Sequence, residues 1–147
     1  MELVEIHILA DKIKWYKRFE KAYKVTQLLT GDGVFGDRAR FFVAEQNGKK
    51  LGFIRINNKT DMLWEKTGCE VWNAADAYVK TPYRNKGILK SMLLEVIGTY
   101  NVRMCSLSPQ VFELHKKYYV DLGFVKVFRG QSSGLIWLFY KDIADLV

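Results

Sequence analysis

The chain has 147 residues, of which 49% are hydrophobic and 14% aromatic, and it carries a formal net charge of +7. This length and apolar content suffice for one domain with a buried core, which we expect to span residues 1–147. No apolar run is long enough to cross a bilayer, and the first residues lack the basic-then-apolar layout of a secretory signal, so we expect a cytoplasmic protein without a membrane partner. The positive charge favours encounter with anions, such as nucleic acid, acidic protein surfaces or membrane headgroups, without choosing among them.

The two cysteines, Cys69 and Cys105, stand apart in the sequence. They form no Cys-x-x-Cys spacing and no cluster of histidines accompanies them, so the pattern favours neither a disulfide framework nor a zinc site. We expect reduced thiols that pack in the interior, as free cysteines usually do. The sequence therefore predicts no bound metal.

The beginning of the chain predicts a strand followed by a helix. Charged and apolar residues alternate from Glu2 to Leu9, which is the period of a half-buried strand. Ala10-Asp11 supplies a helix cap, and apolar residues then recur at helical spacing from about Lys12 toward Leu29, with a break allowed near Lys24. We expect the apolar stripe of this helix to pack on a sheet.

The predicted first helix is strongly basic. Its cations face only two acidic residues, Asp11 and Glu20. A run of charge of this kind forms either a solvated helix face or a docking surface for an acidic partner, and the sequence leaves both readings open. The cations are Lys12, Lys14, Lys17, Arg18, Lys21 and Lys24.

A loop and an antiparallel meander are predicted next. Residues 30–37 contain three glycines, and a strand pattern follows them, so they indicate a flexible connection and not a nucleotide-binding fingerprint. Strands at 40–45 and 51–56 are separated by a segment that contains Asn47-Gly48, a strong hairpin signal. After a further turn, a third strand is predicted at 70–80.

The most informative stretch joins this third strand to a helix through a short basic loop. Such a joint suits an anion, because the first N–H groups of a helix lack intrahelical partners and the helix dipole places partial positive charge there. Arg84, Lys86 and Lys90 add full charges, and Gly87 has no side chain to keep a ligand away from the backbone. We therefore expect this loop to bind a pyrophosphate.

The same residues resemble the signature of the GNAT superfamily of acyl-CoA N-acyltransferases. Val79 matches the end of the family's strand, and Arg84-Asn85-Lys86-Gly87-Ile88 matches its (Arg/Gln)-x-x-Gly-x-(Gly/Ala) loop, except that Leu89 stands where Gly or Ala is usual. The resemblance implies that the loop amides hold the pyrophosphate of acetyl-CoA. The residues expected to bind this co-substrate are Tyr78, Val79, Arg84, Asn85, Lys86, Gly87, Ile88, Leu89 and Lys90.

The second half of the chain predicts a helix, a parallel strand, a second helix and a hairpin. Apolar residues from Ile88 to Ile97 form one helix face, and Gly98 is expected to end that helix. A strand at 102–108 follows, parallel to its predecessor because a helix connects them. Ser108-Pro109 then caps a helix that Gly123 stops, and strands at 125–128 and 135–140 form the last hairpin.

A second family motif lies just before that hairpin. Tyr119-Val120-Asp121-Leu122-Gly123-Phe124 is similar to the family pattern Tyr-x-x-(Leu/Gly)-Gly-Phe. Together the two motifs imply an α/β (α+β) fold, with a mixed and largely antiparallel central sheet that contains a splayed parallel strand pair and is flanked by about four helices. The thioester would lie in that gap, with backbone N–H groups near Tyr78 and Val79 as oxyanion donors.

The resemblance implies that Tyr119 donates a proton to the CoA sulfur. Packing in the core is the alternative role for Tyr119, and Tyr118 and His115 are weaker competitors for the acid. The general base is less clearly specified. Asn73 stands where some family members carry a glutamate, which leaves Asp76 and Glu70 nearby; we select Asp76, while a water relay would need neither carboxylate.

Two further positions bear on the co-substrate and the acceptor. Phe112 stands where the family often carries an asparagine that contacts pantetheine, and Ser106 or Ser108 could substitute for it. Aromatic residues could line an acceptor pocket or belong to the core. These are Phe35, Trp64, Trp72 and Trp137.

The sequence thus predicts an N-acetyltransferase that moves an acetyl group from acetyl-CoA to a primary amine by direct attack on the thioester. The acceptor, a small-molecule amine or a protein amine, is unidentified. The alternatives are a non-catalytic CoA-binding module, a basic nucleic-acid-binding module, or acyl transfer to a nucleic-acid amine. Both a monomer and a homodimer are compatible with the sequence.

Overall fold

The computed structural model describes residues 1–24, 33–130 and 134–147, and within these ranges it contains seven strands and four α-helices. The strands are β1 (Glu2–Ile6), β2 (Ala39–Gln46), β3 (Lys49–Asn58), β4 (Trp72–Val79), β5 (Val102–Leu107), β6 (Phe124–Arg129) and β7 (Ile136–Tyr140). The helices are α1 (Leu9–Tyr23), α2 (Thr60–Thr67), α3 (Ile88–Tyr100) and α4 (Pro109–Leu122). The sheet is mostly antiparallel with one parallel pair, which confirms the predicted fold class.

The chain divides into two compact units. The first comprises residues 1–57 and 76–95, and the second comprises residues 58–75 and 96–147. In the first unit the strands follow the order β1, β2, β3 and the end of β4, and in the second the order is the start of β4, then β5, β7 and β6. A single-domain organisation over residues 1–147 stays a prediction.

The β2–β3 hairpin confirms the turn that was predicted from Asn47-Gly48. Both residues have positive φ, 53° at Asn47 and 76° at Gly48, as a two-residue turn between twisted strands requires. Gln46 pairs with Lys49 across the turn. Inward residues of these strands, of α1 and of the segment before β2 build the first unit's core, namely Trp15, Tyr16, Val34, Phe41, Val43 and Phe53.

The first strand and helix differ from the prediction at their boundaries. β1 ends at Ile6 and not at Leu9, and α1 begins at Leu9, so Asp11 lies in the first helical turn and not at the cap. An acidic residue in that turn still favours the helix through its dipole. At the other end Lys24 adopts a left-handed conformation, so the helix stops where a break was allowed; residues 25–32, which include the rest of the predicted helix and the start of the predicted loop, lie outside the described ranges.

Two predictions for the middle of the chain were incomplete or wrong. The segment predicted as a turn before β4 contains the short helix α2, which ends at Gly68 with a φ of 60°. Gly98 does not end α3, because the helix continues to Tyr100 and Asn101, at a φ of 56°, is the left-handed residue that follows it. Glycine inside a helix costs only about 1 kcal/mol, which packing of the apolar face readily exceeds.

The second unit follows the predicted order. β5 runs parallel to β4, with Trp72 opposite Val102 and Ala74 opposite Cys105, and the predicted splay of this pair beyond that register stays a prediction. The described part of the second core contains Leu63, Val71, Met104, Phe139 and Ile143. In the part of the chain that the structure covers, none of the helices combines the length and the apolar character needed to span a membrane.

Candidate active site

The loop between β4 and α3 has the backbone geometry of an anion site. A 3-10 turn at Thr81–Tyr83 follows β4, with the Arg84 N–H donating to the Thr81 carbonyl at 3.3 Å. Asn85 and Gly87 then adopt positive φ values of 61° and 80°. Alternation of left-handed and right-handed residues turns successive N–H groups toward one concavity, which is a recurrent way of binding anions.

The N-terminus of α3 is open at this loop. Ser91 donates the first hydrogen bond of the helix, to the Gly87 carbonyl at 3.0 Å, and the N–H groups of Ile88, Leu89 and Lys90 before it have no partner within the described residues. Among the described residues, and apart from Gly87 and its two chain neighbours, no heavy atom lies within 4 Å of the position that a Cβ on Gly87 would occupy. A diphosphate therefore fits this backbone, since donors and dipole point to a place that no side chain fills.

The basic side chains of the loop have different tasks. Arg84 turns back onto β4, where its Nε donates to the Val79 carbonyl at 2.8 Å and its guanidinium lies 5.5 Å from the centre of the Tyr78 ring. It therefore braces the end of the strand. Lys86 and Lys90 are exposed and supply mobile positive charge beside the helix terminus.

Gly52 on β3 fixes the end of β4, and the sequence analysis did not single it out. A Cβ at this position would lie 2.3 Å from the Tyr78 carbonyl oxygen and 3.0 Å from the Val79 Cα. The strands also join through the Lys80 N–H, which donates to the Leu51 carbonyl at 2.9 Å. The available signal was a glycine inside a strand pattern, which often marks a close approach of two backbones.

Asp76 forms a buried ion pair with Arg55, a residue that the sequence analysis also missed. The Arg55 Nε and a terminal guanidinium nitrogen each lie 2.6 Å from the same Asp76 carboxylate oxygen, and another guanidinium nitrogen donates to the Gly33 carbonyl at 3.1 Å. Burial raises the pKa of Asp76, against the opposing influence of the Arg55 charge. An arginine within the apolar run of β3 was the signal that could have found it.

The other polar candidates near β4 already have partners. The Asn73 side-chain amide donates to the Ser106 hydroxyl at 3.1 Å. Glu70, the second candidate base, accepts from the Trp72 indole N–H at 2.7 Å and from the Asn101 amide at 3.3 Å. These bonds hold the carboxylate of Glu70 at the start of β4.

Tyr119 lies on α4 in the second unit and is largely buried, with 8% of its surface exposed. Its ring meets Tyr118 edge-on at a centroid distance of 5.3 Å and Phe124 at 6.5 Å. Tyr118 is half-buried, and burial raises the pKa of its hydroxyl. His115 is exposed.

The structure groups most of the predicted site residues in one unit. The expected co-substrate residues, Tyr78, Val79 and Arg84 to Lys90, belong to the first unit together with Asp76, whereas Tyr119 belongs to the second. The serines that could replace the family's asparagine are engaged: Ser106 with Asn73, and Ser108 as the cap of α4.

The aromatic residues considered for an acceptor pocket have other surroundings. Phe35 stacks on Phe41 at 5.8 Å in the first unit's core, and Trp72 is buried. Trp137 packs beside Phe128, with ring centroids 6.1 Å apart. Trp64, with 56% of its surface exposed, is the most accessible of the four.

The chain resembles known proteins both in sequence pattern and in fold. The sequence model of the family described as "Acetyltransferase (GNAT) domain" matches residues 37–126. No curated protein sequence matches the chain. Among solved structures, Tetrahymena GCN5 is 12% identical, covers 98% of this chain and 99% of its own, and has a TM-score of 0.63.

Two further solved structures share the fold. An aminoglycoside N-acetyltransferase, AAC(6')-Iy in complex with CoA, is 18% identical over 88% of this chain and 95% of its own, with a TM-score of 0.60. The ribosomal-protein-alanine N-acetyltransferase from Brucella melitensis biovar Abortus 2308 is 16% identical with the same coverage and a TM-score of 0.57. Because the domain match spans more than half of the chain and includes both the β4–α3 loop and Tyr119, the chain belongs to the GNAT family of acyl-CoA-dependent N-acetyltransferases.

Proposed function

We propose that the loop from Arg84 to Lys90 binds the pyrophosphate of acetyl-CoA and that the chain transfers the acetyl group to a primary amine. The observation that carries this proposal is the open N-terminus of α3, where Gly87 has a positive φ and no described residue beyond its chain neighbours comes within 4 Å of its Cβ position. Free N–H groups, helix dipole and nearby cations all favour an anion there. Family membership favours catalysis over a binding module without activity.

Acetyl-CoA, when bound, supplies an activated acyl group as a thioester. The chain's part is to hold and orient it, and the first residues of α3 together with Lys86 and Lys90 are the groups we assign to its charged end. We assign the backbone N–H groups near Tyr78 and Val79 to the acyl end, as donors to the negative charge that develops on the carbonyl oxygen. Gly52 and Arg84 keep these two residues in place.

We assign the general acid to Tyr119. A phenol hydroxyl can give its proton to a departing thiolate, and the largely buried position of Tyr119 provides surroundings with little water. The hydroxyl of Tyr118 is the competing donor, since its neighbouring position on α4 is rotated by about 100°.

We assign the general base to Asp76. The amine must be uncharged to attack, and burial raises the pKa of this carboxyl, which makes it a better proton acceptor than an exposed aspartate. Arg55 contacts one oxygen of the Asp76 carboxylate, and we assign the second oxygen to the proton. A water relay is the alternative route.

We infer the chemical class of the acceptor from the net charge of the chain and from its structural neighbours. A net charge of +7 repels polycations at long range, which favours a small amphoteric amine or the amine of an acidic protein. One structural neighbour is an aminoglycoside N-acetyltransferase and another a ribosomal-protein-alanine N-acetyltransferase, so small-molecule and protein amines are both represented among them. Cytoplasmic location and the choice between monomer and homodimer stay predictions.

The role of Tyr119 is tested by Tyr119→Phe. We expect release of free CoA thiol from acetyl-CoA, in the presence of a small amphoteric amine or of an acidic peptide that begins with alanine, to fall by about a hundredfold or more, because general acids contribute about 10²- to 10⁴-fold. The affinity for acetyl-CoA, measured by calorimetry, should change less than about twofold.

Tyr118→Phe is the matched control, because it removes a hydroxyl from the adjacent position of α4. We expect it to leave turnover within about tenfold of the original chain. Equal turnover by Tyr119→Phe and the original chain would remove Tyr119 from the mechanism, and a larger loss in Tyr118→Phe would transfer the role to Tyr118.

A further inference from the structure

A basic cavity lies in the first unit, apart from the residues assigned to acetyl-CoA and its chemistry. Its volume is about 140 Å³, and it lies between α1, the start of β3 and the residue that follows β4. Its lining includes Asp11, Lys14, Trp15, Arg18, Lys50 and Lys80.

Trp15 organises two of these cations. Its ring is 4% exposed, and the Arg18 guanidinium carbon lies 4.5 Å and the Lys80 ammonium nitrogen 5.4 Å from the ring centre. Contacts of this kind stabilise a cation on an aromatic ring by about 0.5–2 kcal/mol. The indole thus holds two positive charges beside the cavity without neutralising either.

The cavity has an excess of positive charge. Four cations line it with a single carboxylate, Asp11, and within the described residues neither Lys14, Arg18, Lys50 nor Lys80 forms an ion pair. Burial, and then the charges of Arg18, Lys14 and Lys50, lower the pKa of Lys80. Folding has therefore gathered like charges that repel one another, and a bound anion would relieve the repulsion.

We propose that this cavity binds a phosphomonoester dianion. A dianion offsets two of the four charges, which a single carboxylate cannot do. The tetrahedral oxygens of the group can accept from lysine ammonium groups and from the arginine fork together. The volume of about 140 Å³ is several times what one water molecule needs, so it admits one phosphoryl group, and Trp15 is too buried to stack on a base. The recognised element is the phosphoryl group itself.

This phosphoryl group has two chemical sources. It belongs either to a separate phosphorylated metabolite or to the 3′-phosphate of the co-substrate CoA. The site is independent of the assignment of Tyr119 and Asp76, so failure of the catalytic assignments leaves it standing.

The test uses the full-length chain, labelled with ¹⁵N, and follows the indole N–H signal of Trp15 as inorganic phosphate or 3′-AMP is added. We expect a saturable shift with both probes and none with adenosine. A double variant, Lys14→Gln with Lys50→Gln, should weaken binding by about tenfold or more, because it removes two charge-assisted contacts. Both lysines are exposed, so the fold should persist.

The matched control is Lys17→Gln with Lys49→Gln, which removes the same charge from the same helix and strand at exposed positions outside the cavity. We expect it to change the affinity by less than about twofold beyond the effect of net charge. Equal weakening by the two double variants, or a linear shift without saturation in the original chain, would overturn the proposal.

Acetyl-CoA and its 3′-dephospho form then identify the source. If the 3′-phosphate occupies the cavity, the original chain binds the dephospho form more weakly, and the Lys14/Lys50 variant binds both forms alike. If a separate metabolite occupies it, the two forms bind equally to the original chain, and inorganic phosphate binds alongside either one.

Discussion

Two strand-to-helix junctions of this chain share a topology and differ in how the helix begins. At the junction of β5 and α4, the Ser108 side chain accepts from the Val111 N–H at 3.3 Å, and Pro109 occupies the first helical position. The chain itself thus removes one of the donors at this terminus, at Pro109, and pairs another, at Val111. At the junction of β4 and α3, Gly87 leaves the backbone open beside the exposed Lys86 and Lys90.

The difference shows that a helix terminus can bind an anion when no side chain of the chain caps its first N–H groups. Any helix has a dipole and first N–H groups without intrahelical acceptors, so both helices start from the same backbone requirement. A capping serine and a proline fill or remove those donors in α4, whereas a glycine with positive φ leaves them accessible in α3. Changes that alter one junction should therefore leave the other intact.

The largest effect is expected at Asp76, on the strand that precedes the β4–α3 loop. Asp76→Asn leaves Arg55 buried without a counter-charge, so we expect the free energy of unfolding in urea to fall by about 3–5 kcal/mol. Glu5→Gln breaks the more exposed pair of Glu5 with Arg40 and should lower it by no more than about 1 kcal/mol. Equal losses in the two variants would contradict the assigned importance of the buried pair.

The same variant gives a pH test. Because burial raises the pKa of Asp76 above its ordinary value of 3.8, the folded chain binds this proton more tightly than the unfolded chain does. The unfolding free energy of the original chain, relative to Asp76→Asn, should therefore fall as pH rises from 3.8 through the folded pKa. A relative rise over that range would mean that Arg55 outweighs burial and lowers the pKa.

An intermediate effect is expected at Gly52. Gly52→Ala places a methyl group against the Tyr78 carbonyl, so we expect a loss of about 1–3 kcal/mol in unfolding free energy and weaker binding of acetyl-CoA as the end of β4 shifts. Gly98→Ala is the control, since Gly98 lies inside α3 and, beyond the backbone of that helix, no described residue comes within 4 Å of its Cβ position; the change should stabilise the chain by up to about 1 kcal/mol. Unchanged stability and affinity in Gly52→Ala would show that the close approach is unimportant.

The smallest effect is expected at the junction of β5 and α4. Ser108→Ala removes the cap of α4, which should lower the free energy of unfolding by about 1 kcal/mol. Calorimetry should find the affinity for acetyl-CoA unchanged, because the β4–α3 loop is untouched. A marked loss of affinity would mean that the two junctions are not independent.

Much of the fold could be predicted because local signals are strong where they occur. The Asn47-Gly48 turn and the Ser108-Pro109 cap each have a backbone requirement that few residues meet, and both were placed correctly. The prediction that Gly98 ends α3 was wrong because a helix tolerates a glycine when its apolar face packs well. The helix α2 was missed because a segment of eight residues shows little hydrophobic periodicity.

The candidate site was predictable in its loop and less so around it. Arg84 to Gly87 are adjacent in sequence, so their pattern was visible. The Arg55–Asp76 pair spans 21 residues and the approach of Gly52 to Tyr78 depends on strand register, neither of which a local pattern encodes. The basic cavity combines residues from α1, β3 and the end of β4, so only part of it was visible as a charged helix.

The central claim, that the open terminus of α3 binds acetyl-CoA, is tested most directly by calorimetric titration of acetyl-CoA into the original chain, Gly87→Glu and Gly48→Glu. Both glycines have positive φ and open space around their Cβ positions. The two variants therefore introduce the same kind of backbone strain and the same change of charge, and they differ only in their position in the chain. We predict binding by the original chain and by Gly48→Glu, and loss of binding in Gly87→Glu through blockage and repulsion of the pyrophosphate. Equal affinity in Gly87→Glu, or no binding by the original chain, would contradict the account.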